Sequence, residues 1–122
     1  MLKNLLLILL TVCLNTGGQF LMKAGVNRVG KISLFNNFFN SIFKALTSGL
    51  VIGGFGFYVV SAMLWIIILS RAELSWAFPL VSLSYVITAI VAPIVLHESF
   101  SVQRFLGTLV IVVGVFIVSR TY

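Results

Sequence analysis

The chain has 122 residues, of which 61% are hydrophobic and 8% charged, with a mean hydropathy of +1.21. A soluble domain of this length leaves too much of its surface exposed to hide so large an apolar fraction, so the bilayer is its expected solvent. The net charge of +6 comes from basic residues scattered at the ends of apolar runs, a distribution that suits lipid headgroups rather than a nucleic-acid patch.

A spanning helix needs about 20 mostly apolar residues, and four such runs occur, near residues 5–26, 45–70, 74–96 and 102–119. The predicted fold is therefore all-α and integral to the membrane: one four-helix unit, with little chain left for a soluble domain. The opening "MLKNLLLILLTVCL" has the charge and apolar stretch of a signal peptide. No small-x-small cleavage site follows it, however, and the apolar pattern continues through Phe20 to Met22, so a retained first span is expected. Cys13 is the single cysteine, which rules out an intrachain disulfide and suggests a packing role.

The first span carries Asn15, Gln19 and Lys23 at intervals of four, one stripe on a helix, with Gly18 leaving space beside it. Each residue alone reads as interhelical glue or, for Lys23, as a snorkelling terminal lysine. Three in register point to a polar cavity, because polar groups inside a membrane are functional suspects. In the connection that follows, Phe35, Phe38, Phe39, Ile42 and Phe43 recur at helical spacing opposite Asn36, Asn37, Asn40, Ser41 and Lys44. This predicts an amphipathic helix capped by Ser33, lying at the interface as an anchor or leading into the second span.

The second span holds Gly49, Gly53, Gly54 and Gly56, which allow close backbone approach and bending. In the third, Pro79 removes a backbone hydrogen bond and frees the carbonyl of Ser75, loosening the helix beside a face shared by Phe78, Ser82 and Tyr85. Tyr58, Trp65 and Trp76 are further aromatics of these two helices. The fourth span has almost nothing polar between Arg104 and Ser119, and Gly107 and Gly114 lie on one face, a pattern suited to packing between subunits.

No carboxylate lies within a helix core: Glu73 and Glu98 fall at the ends of the third span. Glu98 is expected to stabilise the start of the fourth helix or to pair with Arg104. With a neutral central stripe and basic groups nearest to it, an anionic head group such as a phosphate is the better-matched cargo. His97 lacks the partners for a metal site, and no nucleophile, base and orienting group stand together, so neither a cofactor nor an enzyme is expected. Lys3, Arg71 and Arg120 share one side of the membrane; Arg28, Lys31, Lys44 and Arg104 share the other, joined by Lys23 if it snorkels. So small a bias permits insertion either way up. Four short helices leave little room for an enclosed path, which favours a dimer.

The segments "GQFLMK", Leu64-Trp65, "WAFPLVSLSYV" from Trp76 and "LHESFSVQRFLGTLVIVVGV" from Leu96 resemble the small multidrug resistance family of the drug/metabolite transporter superfamily. Within it, the likeness is strongest to EamA-like subunits of the ArnE type, implicated in flipping undecaprenyl phosphate-linked aminoarabinose. The resemblance implies helices one to three around the substrate, helix four in the dimer contact, and a homodimer, commonly antiparallel, or a heterodimer with a related subunit. Drug exporters of the family carry an essential glutamate where this chain has Asn15. Their helix-two and helix-three tyrosines correspond to Tyr58 and Phe78, and their helix-three tryptophan to Val81. Those departures argue against proton/drug antiport.

The expectation is an inner-membrane flippase for a polyprenyl phosphate-linked sugar or similar anionic lipid, working by alternating access. Asn15, Gln19, Lys23, Tyr58, Trp65, Phe78, Ser82 and Tyr85 are the candidate substrate residues. Arg71, Glu98 and Arg104 are candidate phosphate or structural charges; Gly53, Gly54, Gly56 and Pro79 supply flexibility; Gly107 and Gly114 pack the dimer. The alternatives are an exporter of small organic cations or metabolites and a non-transporting partner subunit.

Overall fold

The computed structural model describes residues 2–121, and every regular element among them is helical: α1 (Leu2–Val29), α2 (Phe38–Thr47), α3 (Gly49–Leu69), α4 (Leu74–Val81), α5 (Leu83–Val95) and α6 (Val102–Ser119). Hydrocarbon offers no hydrogen-bond partners, so a spanning segment must satisfy its own N–H and C=O groups, which a helix does. Four stretches are long and apolar enough to cross: α1, α3, the α4–α5 pair over Leu74–Val95, and α6. The protein is a multi-pass membrane protein of four spans, as its composition implies.

α1 and α3 run antiparallel and form the most extensive helix pair. Their contact depends on glycine. A Cβ on Gly54 would lie 2.7 Å from the carbonyl oxygen of Gly18, and one on Gly18 would lie 2.8 Å from the carbonyl oxygen of Gly54. Further along the same seam, a Cβ on Gly25 would meet Val51 at 2.6 Å. The remaining α3 glycines differ: a Cβ on Gly53 would lie 3.7 Å from Leu21, whereas Gly49 and Gly56 face open space, and α3 runs unbroken past all of them.

The tightly packed core gathers at one end of the bundle. Ile8 and Val12 of α1, Ile68 of α3, Trp76, Ala77 and Leu80 of α4, and Val115 of α6 form one buried cluster. These positions lie near the start of α1 and the ends of α3 and α6, on the side of the Arg71 turn. The opposite end lacks such a cluster among the described residues. α6 leaves Val110, Val113 and Ile117 exposed to lipid or to another subunit, and a Cβ on Gly107 or Gly114 would have no neighbour within 4 Å, Gly107 lining a hollow between α5 and α6.

Several boundaries differ from the sequence expectation. The second apolar run divides at Ser48, whose extended backbone (φ −64°, ψ 131°) ends α2 and starts α3. α2 begins at Phe38, after Asn37 in the left-handed region (φ 51°), so Phe35 precedes the helix. Ser33 does not cap it: its Oγ accepts from the N–H groups of Phe35 and Asn36, closing a turn of its own. The amphipathic character survives the shift, with Ala45 buried and Phe39 and Phe43 exposed. Cys13 is exposed on α1 rather than packed.

The glycine seam makes a sharp prediction. Gly54→Ala must push two backbones apart and should destabilise the protomer by about 1–3 kcal/mol, the usual range for overpacking. Gly56→Ala, whose Cβ would have no neighbour within 4 Å, should leave the midpoint of thermal unfolding in detergent unchanged or slightly raised.

Candidate functional site

The stripe on α1 leads into cavities at two depths. Asn15, near the middle of α1, lines a cavity of about 290 Å³ together with Tyr58, Ser61 and Trp65 of α3 and Phe78 and Val81 of α4. The rings of Trp65 and Phe78 meet edge to face, 6.1 Å between centroids. Four candidate substrate residues, Asn15, Tyr58, Trp65 and Phe78, are thus brought together. Gln19 and Lys23 line a separate hollow of about 210 Å³ with Thr88 and Ala92 of α5 and Glu98 of the α5–α6 loop.

A groove of about 410 Å³ along the α4–α5 break holds Phe78, Ser82 and Tyr85, the remaining candidates, and shares Phe78 and Val81 with the Asn15 cavity. The break falls at Ser82, three residues past the proline expected to loosen the helix. Its N–H donates to the carbonyl oxygen of Pro79 at 3.1 Å, a three-residue closure, and its hydroxyl donates to the same oxygen. Such side-chain bonding back to the backbone bends helices. Ser75, whose carbonyl Pro79 cannot satisfy, lines the same groove.

Tyr85 connects this groove to a cavity of about 460 Å³ between α5 and α6, lined also by Thr88, Glu98 and Arg104. Thr88, Ala92 and Glu98 belong to both this cavity and the Gln19–Lys23 hollow. Glu98 therefore lines one hollow with Lys23 and the other with Arg104, and among the described residues it forms no ion pair with either. The start of α6 is capped by Ser101, whose Oγ accepts from the N–H of Arg104 at 3.3 Å. Arg71 lies in the turn between α3 and α4, at the opposite end of the bundle from Lys23 and Arg104.

Buried polar groups add what sequence reading passed over. Thr11 continues the α1 stripe one turn earlier, and Ser61 shares a helical face with Tyr58 and Trp65; both line the Asn15 cavity. Their spacing of three and four was the available signal. The hydroxyl of Thr11 donates to the carbonyl of Leu7 at 2.8 Å, and Thr47, Thr88 and Thr108 make the same four-back bond. Thr16 does not: it is 3% exposed and its hydroxyl has no partner, and the side-chain oxygen of neighbouring Asn15 is likewise buried without one.

Comparison with known proteins places this geometry in context. Residues 30–120 match the EamA-like transporter family. A probable 4-amino-4-deoxy-L-arabinose-phosphoundecaprenol flippase subunit ArnF from Enterobacter sp. (strain 638) is 39% identical over 115 residues, 90% of this chain and 89% of its own length. The corresponding probable subunit ArnE of Aeromonas hydrophila is 34% identical over 110 residues, 89% of this chain and 91% of its own. A probable ArnF subunit from Serratia proteamaculans is 32% identical over 114 residues, 89% of this chain and 86% of its own. No solved structure matches.

The open acceptor at Asn15 separates a ligand-facing role from interhelical glue. A buried unpaired polar group is unfavourable by about 1–3 kcal/mol. Asn15→Leu should therefore unfold in detergent no earlier than the parent protein, and up to about 1 kcal/mol later. A glue role predicts instead a loss of about 1 kcal/mol.

Proposed function

Because the chain belongs to the EamA-like transporter family, we propose that it is a subunit of an inner-membrane flippase that moves an amino-sugar-linked polyprenyl phosphate between leaflets. Two things support this reading: the similarity to probable aminoarabinose-phosphoundecaprenol flippase subunits over most of both chains, and the mainly apolar cavities into which Asn15, Gln19, Lys23, Ser82 and Tyr85 bring polar groups. The observation that carries it is the sign and position of charge. The polar groups at mid-membrane are neutral, and charge stands at the mouth, where Lys23 and Arg104 outnumber Glu98.

In this mechanism the head group enters at the open end of the bundle. Lys23 and Arg104 meet the phosphate there with charge-assisted hydrogen bonds. Deeper in, Gln19, Ser82 and Asn15 hydrogen-bond the sugar hydroxyls, replacing the water that the head group leaves behind. Tyr58, Trp65, Phe78 and Tyr85 shape the passage with rigid rings. Arg71, at the far end, receives the phosphate in the other leaflet. The polyprenyl tail stays in the bilayer, entering beside the α4–α5 groove, where Pro79 and Ser82 let one half-helix move against the other.

The transporter is built from two such chains, a second copy or a related subunit, with the α6 face carrying Gly107 and Gly114 at the contact. The packed end around Ile8, Ile68 and Trp76 closes one side while the Lys23 end is open, a one-sided state of the kind alternating access requires.

Reconstitution into proteoliposomes with a fluorescent or isotopically labelled lipid tests the assignments. Lys23→Ala and Gln19→Ala should each slow flipping about tenfold, the scale of one lost charge-assisted or buried hydrogen bond. Full transport by both variants would sink the proposed path, and resistance to toxic organic cations on expression would favour a cation exporter.

A further inference from the structure

We infer that Glu98 recognises the ammonium group of the carried head group, and so selects amino-sugar lipids over neutral-sugar lipids. The inference rests on the flippase reading above and adds a specificity residue to it. A phosphate-linked amino sugar is a zwitterion, and a vestibule that holds it well offers charges of both signs at a short separation.

Glu98 is the acid placed to do this. His97 adopts the left-handed conformation (φ 55°) directly after α5 and turns the chain back on itself. Left-handed backbone is uncommon outside glycine, and histidine, like asparagine and aspartate, adopts it more readily than most residues. Glu98, next along, then lines both hollows at the mouth, with Lys23 in one and Arg104 in the other. Lys31 shares a further hollow with Lys23. The carboxylate thus shares one hollow with Lys23 and the other with Arg104 yet forms no ion pair with either among the described residues, and the helix start beside it is capped by Ser101 rather than by Glu98. Neither structural task expected of this acid, capping α6 or bridging to Arg104, occupies it.

The geometry also separates the two tasks of recognition. Cations exceed the acid at the mouth, so a phosphate has a partner on either side of Glu98 and the ammonium has one place to go. Thr88, common to both hollows, has its hydroxyl proton committed to the carbonyl of Ser84 at 2.8 Å, which leaves only acceptor capacity toward the cavity. An ammonium supplies three donors and no acceptor. A phosphate, which needs donors, gains nothing from Thr88.

The test is a competition, in nanodiscs and read by native mass spectrometry, between aminopentose-linked polyprenyl phosphate and the same lipid N-acetylated, which removes the positive charge and keeps the phosphate. The parent protein should retain the free-amine lipid about tenfold better, and Glu98→Gln should reduce that ratio below about twofold by weakening the free-amine lipid alone. Glu98→Asp should restore most of it. Equal retention of both lipids by the parent protein overturns the inference without any variant, and so does an equal loss of both lipids in Glu98→Gln, the pattern of a residue that merely holds Lys23 and Arg104 in place. In either case the flippase reading stands, because lipid is bound. Retention of neither lipid by the parent protein removes both together.

Discussion

Gly18 and Gly54 bring two backbones into contact where α1 crosses α3, and the rest of the bundle is arranged around that contact. In a membrane, helices gain nothing from burying apolar surface against each other rather than against lipid, so association depends on close packing by small residues. With Gly18 and Gly25 facing α3, the orientation of α1 follows. At about 100° per residue, Asn15, Gln19 and Lys23 are turned between roughly 60° and 140° from Gly18 about the helix axis. That turns the stripe toward α4 and α5, which matches the helices that share its cavities. A bulkier residue at the crossing would move the stripe as well as weaken the pair.

Against this close pair, the third span is interrupted. It is two helices, joined at Ser82 by a three-residue closure onto Pro79. α4 belongs to the packed end, with Trp76, Ala77 and Leu80 in the core, while α5 carries Tyr85, Thr88 and Ala92 along the open cavities. The break therefore lies between the closed part of the bundle and the open part. The cavity residues Phe78 and Tyr85 stand on either side of the break.

The bilayer made most of the fold legible in the sequence. Length, composition and four apolar runs leave helices as the available spanning structure, and the observed spans follow those runs closely. Local breaks were harder to read, because hydropathy does not change at Ser48 or Ser82; what changes is where one serine sends its backbone. The stripe of α1 was legible as a period of four, and so was the aromatic set. The division of that stripe between two hollows was not, since it depends on how far α5 stands from α1. Thr16 was passed over because a threonine in an apolar helix ordinarily bonds back to the preceding turn, as Thr11, Thr88 and Thr108 do. The family likeness read from sequence holds, with relatives of both the ArnE and the ArnF type rather than the ArnE type alone.

The placement of acid explains how such a path can serve a charged lipid. A carboxylate at mid-membrane is costly unless it is paired or hydrated, and exporters of cations accept that cost because their cargo neutralises it. On the proposed reading this chain's cargo brings both signs with it. Once the phosphate leaves Lys23 and Arg104, and the ammonium leaves Glu98, the two groups of one head can screen each other across the sugar. A central acid would then compete with the phosphate for the ammonium and hold the head group in place. Neutral acceptors and donors such as Asn15 and Ser61 would, on that reading, bind the hydroxyls without that competition. Charge confined to the two ends, with amides and hydroxyls between, is the arrangement in which a zwitterion is captured at the interface and released to the middle.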